Sequence, residues 1–138
     1  MFIEREDRID PCSLATTIMF QPGGSSLPSS SVELSLRCER LRDLDTFSKS
    51  DPFCVVECKT LGIQNEWMEV GRTECVMDNL NPVWQKKIVL DYNFEQRQML
   101  RLRVYDLDSE SVGSKLESQD FLGVAECSLG EVVSKQSR

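Results

Sequence analysis

No histidine occurs anywhere in the 138-residue sequence. That removes the commonest general base, the Ser–His nucleophile pairs and every His-containing zinc site. No apolar run approaches the ~20 residues a membrane-spanning helix needs. The start, Met1-Phe2-Ile3-Glu4-Arg5-Glu6-Asp7, lacks the apolar stretch of a secretory signal. The six cysteines contain no close Cys-x-x-Cys pair and are expected as reduced thiols. Positive charge is also in deficit: the net charge is −7, so nucleic acid is not an expected partner.

What remains is ordinary globular material, 40% hydrophobic and 28% charged, enough for one core but not two. Residues 1–31 read as a flexible leader, because the run from Gln21 to Ser31 is dominated by Pro, Gly and Ser. Within it only Leu14 to Phe20 has strand-like chemistry, and this segment is a candidate to cover an open sheet edge. From residue 32 to 138 the pattern is that of one domain with period two. Val32, Leu34, Leu36 and Cys38 alternate with polar neighbours. Further strands are expected at Phe53–Cys58, from Trp67 through Met77, from Val83 to Tyr92, over Leu100–Tyr105 and over Phe121–Ser128. Only Phe94 to Leu100 has room for a helical turn, and Asn93–Gln96 is the candidate for one within a connection. The spacing predicts an all-β fold, an antiparallel sandwich.

Acidic residues concentrate in two of the expected loops. Asp45 and Asp51 flank Thr46–Ser50, while Asp106, Asp108 and Asp120 flank a longer loop. In an antiparallel sandwich both loops emerge at one end, so five aspartates would converge. By spacing alone this is either a solvated acidic tip or a site for a hard divalent cation such as Ca2+, which takes ~6–8 oxygen ligands. An EF-hand register starting at Asp106 fails, because its sixth position holds Ser111 where glycine is needed.

Four ordered motifs sharpen this reading. They are Leu44-Asp45 followed by Ser48-Lys49-Ser50-Asp51-Pro52-Phe53, Asn79-Leu80-Asn81-Pro82-Val83-Trp84, Val104-Tyr105-Asp106-Leu107-Asp108, and Asp120-Phe121-Leu122-Gly123. Together they resemble a C2 domain over about residues 32 to 133. Gly71-Arg72-Thr73-Glu74, Leu90–Glu95 and Glu126–Val133 are similar to the first C2 domain of copines. The resemblance implies a C2-type β-sandwich that binds Ca2+ through Asp45, Asp51, Asp106, Asp108 and Asp120, and then an anionic phospholipid membrane. It implies a cytoplasmic protein that associates peripherally with membranes when calcium rises. Copines continue beyond the point matching Arg138, so the sandwich is expected to lack its final strands.

Between the aspartates stand apolar tips, Phe47, Val112 and Leu116, suited to shallow membrane insertion. Arg101 and Arg103 share one strand face, with Arg72, Lys86 and Lys87 on or near neighbouring strands. These five read either as an ordinary solvated face or as a surface for lipid headgroups, as in some C2 domains. A calcium-independent module that binds protein partners is the alternative function. No nucleophile–base pair or phosphate loop points to an enzyme.

Overall fold

The computed structural model describes residues 20–22, 29–41, 51–107 and 120–136. Its elements are β1 (Phe20–Pro22), β2 (Ser29–Leu34), β3 (Pro52–Thr60), β4 (Gln64–Arg72), β5 (Ile88–Asn93), β6 (Gln98–Asp106), β7 (Asp120–Ser128) and α1 (Leu129–Gln136). They form two antiparallel sheets, ordered β1-β2-β5 and β4-β3-β6-β7.

The period-two pattern explains how the sheets meet. Val32, Leu34, Leu36 and Cys38 turn inward from one sheet, and Cys54, Val56, Leu100, Leu102, Val104, Leu122 and Ala125 from the other, into one buried core. Each fully buried Val or Leu there contributes roughly 1.5–3 kcal/mol relative to exposure. Trp84, only 1% exposed, belongs to the same core, and its Nε1 donates to Pro52 O at 3.1 Å. Strand β3 is buried on both faces, which is why its sequence reads as a continuous apolar run. Phe53 and Val55 point outward yet are covered by Tyr105, Cys75, Leu107 and Phe121.

Three expectations about elements change. The strand expected through Met77 ends at Arg72 as a regular element. Backbone pairing still continues, with Thr73 N donating to Cys54 O at 2.9 Å and Val76 N to Pro52 O at 3.0 Å. The strand expected from Val83 to Tyr92 is interrupted: Val83 bridges Arg37, and β5 starts only at Ile88. The cause is Glu74, whose carboxylate accepts the N–H groups of Gln85 at 2.6 Å and Lys86 at 3.1 Å, holding them off the β2 ladder. At Asn93–Gln96 the chain makes a tight turn closed by Gln96 N to Asn93 O at 2.9 Å, not a helix.

The helix comes later. In α1, Ser128 Oγ accepts the Glu131 N–H at 3.1 Å as an N-cap, and Leu129, Val132 and Val133 pack onto the core. At the other edge, Phe20 pairs with Val32 and Pro22 with Ser30, so this part of residues 1–31 extends the smaller sheet beside β2.

Candidate functional site

Three of the five candidate aspartates fall within the described residues: Asp51, Asp106 and Asp120. Asp45 and Asp108 lie outside them, as do Phe47, Val112 and Leu116. The three come together at one end of the larger sheet because of strand register. Asp51 directly precedes Pro52, Pro52 pairs with Asp106, and Asp106 pairs with Asp120. Asp106 is 2% exposed, and its Oδ1 accepts the Asp51 N–H at 2.8 Å. In return Leu107 N donates to Asp51 O at 3.0 Å. Asp51 Oδ1 accepts the Asp78 N–H at 2.7 Å, with Asp78 at φ 48°. That left-handed conformation is one Asp tolerates better than most residues.

Beneath this end lies an aromatic ladder. The Phe53 and Tyr105 rings stack with centroids 5.8 Å apart, and Phe121 meets Tyr105 edge-on at 5.7 Å. β7 carries a bulge here: Val104 pairs with Gly123, but Tyr105 pairs with Phe121, leaving Leu122 as the extra residue. Packing of the ladder fixes the strand ends that carry the aspartates.

Cys75 Sγ donates to Asp51 O at 3.2 Å. Burial, reinforced by the charges of Asp51, Asp106 and Glu74, pushes its thiol up to about 11. It therefore stays protonated at neutral pH. The donor set is carboxylate oxygen, which suits a hard cation such as Ca2+ in kind. Among the described residues, no group of three or more His, Cys, Asp or Glu side chains closes into a metal-holding shell.

The five candidate headgroup residues divide. Arg101 and Arg103 do share the outward face of the larger sheet, but Glu57, with 8% of its side chain exposed, sits between them. Arg101 forks onto Glu57 through Nε at 2.9 Å and Nη2 at 3.1 Å. Arg103 Nε lies 2.7 Å from Glu57 Oε1 as an ion pair, without hydrogen-bond alignment. Arg72 is forked onto Glu69 at 2.8 and 3.0 Å, which raises its pKa. Trp67, the second tryptophan, is clasped by Lys59 and Arg101, each 4.6 Å from its ring centroid. Lys86 and Lys87 belong instead to the segment leading into β5 in the other sheet, where Lys87 Nζ donates to Ser35 Oγ.

Glu57, Glu74 and Asp78 were not singled out from the sequence. The period-two parity of Phe53, Val55 and Glu57 places Glu57 outward with the arginines, which is the one signal that could have found it. The reach of Glu74 and Asp78 depends on non-local pairing and leaves no local trace.

An antiparallel sandwich with acidic strand ends gathered at one pole defines the C2 class. The C2 domain family model matches residues 32–138, and the chain belongs to that family. It is 45% identical over 133 residues to nicotinic receptor-associated protein 1 of Caenorhabditis elegans, covering 84% of this chain and 21% of that protein. The same-named protein of Caenorhabditis briggsae is 44% identical over 124 residues, covering 80% of this chain and 20% of the relative. The chain thus spans about a fifth of the length of these relatives. Among solved structures, BON1-C2B aligns with TM-score 0.57 at 28% identity, over 81% of this chain and 76% of the other. A C2 domain of plant Extended Synaptotagmin 1 aligns with TM-score 0.52 at 27% identity, over 73% and 70% of the two chains. A RIM C2 domain from Drosophila, at 16% identity and TM-score 0.54 over 85% of each chain, shares the fold.

Proposed function

We propose that this C2 domain is a calcium-dependent phospholipid-binding module that recruits a copine-like protein to membranes. The observation that carries this reading is the register that gathers Asp51, Asp106 and Asp120 at one pole. Asp45 and Asp108, which lie outside the described residues, complete the proposed Ca2+ ligand set. Calcium bound there would cancel much of the −7 charge at the pole that meets the membrane. Phosphate or carboxylate oxygens of anionic lipid then complete the ion's ~6–8 ligands, while Phe47, Val112 and Leu116 insert. The module acts by binding, not catalysis, in the cytoplasm and on membranes when calcium rises.

A calcium titration followed by thermal melting, repeated with anionic and neutral vesicles, tests this. At calcium ~100-fold above its dissociation constant the domain should gain ~2.7 kcal/mol. Asp106→Asn, which keeps an oxygen for the Asp51 N–H, should lose most of that gain and the vesicle binding. A melting temperature indifferent to calcium sinks the reading.

A calcium-independent protein-interaction module is the second reading. Glu57 favours it, because its carboxylate engages both arginines of the face that lipid would otherwise meet. The name of the 45%-identical relative, a nicotinic receptor-associated protein, suggests receptor assemblies as the protein partners. Partner binding that persists in a calcium chelator, with no vesicle binding under any condition, selects it.

A further inference from the structure

We propose that a cleft on the outward face of the smaller sheet is a calcium-independent site for a phosphate monoester group. The cleft measures about 450 Å³ and is lined by Ser35, Arg37, Val83, Trp84, Gln85 and Lys87 together with Leu36. Its walls are set by the interruption between β2 and β5. The Arg37–Val83 bridge and the Trp84 N to Leu36 O bond of 3.0 Å pin the two segments together at one end. Leu34 and Ile88 rejoin them at the other. Between these points residues 85–87 bow away, held by the Glu74 carboxylate on the amides of Gln85 and Lys86.

The lining chemistry is that of an oxyanion site. Lys87 donates to Ser35 Oγ, so the ammonium is drawn over the cleft and the serine proton stays available to an acceptor in it. Arg37 is exposed and makes no ion pair among the described residues. Gln85 adds an amide donor. Among the described residues no carboxylate lines the cleft. In a chain of net charge −7, two cations without a lining acid stand out. Arg72, Arg101 and Arg103, by contrast, each already face a glutamate. A tetrahedral dianion matches two cationic donors, a hydroxyl and an amide converging from two walls. The group could arrive on a lipid headgroup or as a soluble phosphate.

The test is an amide chemical-shift titration of the whole chain in calcium chelator. One arm uses inositol 1,4,5-trisphosphate, a second inorganic phosphate, and a third vesicles of phosphatidylcholine with phosphatidylinositol 4,5-bisphosphate. Shifts should centre on Ser35, Arg37, Gln85 and Lys87. The double variant R37Q/K87Q, its fold checked by an unchanged melting temperature, should bind at least about tenfold more weakly. Lys59→Gln, on the other sheet, should bind as the parent does. Binding of inorganic phosphate assigns the site to free phosphates, and binding of the vesicles and of inositol 1,4,5-trisphosphate without inorganic phosphate assigns it to headgroups. Absence of shifts in all three arms, shifts centred on Lys59 and Arg101, or undiminished binding by the double variant overturns the proposal. Because calcium is absent throughout, a failed calcium titration leaves this result standing, and the reverse also holds.

Discussion

The two outward faces of the sandwich use their cations in opposite ways. On the larger sheet, Glu57 and Glu69 pair with three arginines, and Arg101 is further stacked on Trp67. On the smaller sheet, Arg37 and Lys87 meet no carboxylate across their cleft among the described residues. A count of basic residues treats the faces alike; their partners do not. Charge held by a neighbour serves the fold, and charge left open is available to a ligand.

The largest break in this contrast should come from Glu57→Gln. Removing the carboxylate leaves two guanidiniums, each about a quarter exposed, without their counter-charge. Stability measured by urea unfolding should fall by about 2–3 kcal/mol, short of the ~3–5 kcal/mol for a fully buried pair. The same variant should gain binding to anionic vesicles in calcium chelator, since the face becomes more cationic. Stability and vesicle binding both at parental values would mean that Glu57 does not quench the face.

Trp67→Leu should have a smaller effect, about 1 kcal/mol, by removing the ring that Lys59 and Arg101 clasp. A double-mutant cycle with Lys59→Gln reads the coupling directly. Additive losses would show the clasp to be geometric only.

Glu74→Gln should cost least, under about 1 kcal/mol at pH 7, because the amide oxygen still accepts. Its pH dependence carries the information. Burial would raise the Glu74 pKa, but the amides of Gln85 and Lys86 and the Lys86 charge outweigh it and hold the carboxyl below its usual value. A lowered folded pKa means stability present above the ordinary carboxylate pKa of ~4.3 and lost as pH falls through the folded value. Parent and variant should therefore differ above about pH 5 and converge in stronger acid. Parallel stability curves across that range would contradict the clamp.

How far these arrangements could be read in advance depended on how local their causes are. Val32, Leu34 and Leu36 alternate because one face of a strand is wet, and that pattern survives in any register. The aspartate pole was likewise legible from spacing and resemblance. The pairing of Glu57 with Arg101 required knowing that β3 lies against β6, forty-odd residues away in the chain. The break before β5 was hidden for the same reason, since Glu74 acts from another segment. α1 does leave a local signal, which the strand pattern overshadowed: Ser128-Leu129-Gly130-Glu131 is the Ser-x-x-Glu spacing of a helix start.

The extra residue at Leu122 bears on how this strand can change over generations. Counting by twos back from Cys127 through Ala125 to Gly123 would place Asp120 on the side opposite Asp106. The bulge inverts that count, and Asp120 arrives in register with Asp106. Loss of Leu122 itself would leave a regular ladder with Asp120 still opposite Asp106, but loss of a single codon between Gly123 and Cys127 would reverse the phase of everything upstream in the strand. Asp120 would turn away from its partner with no acidic residue having mutated. Substitutions can tune this pole by degrees, but an insertion or deletion in β7 beyond the bulge acts on it as a switch of parity.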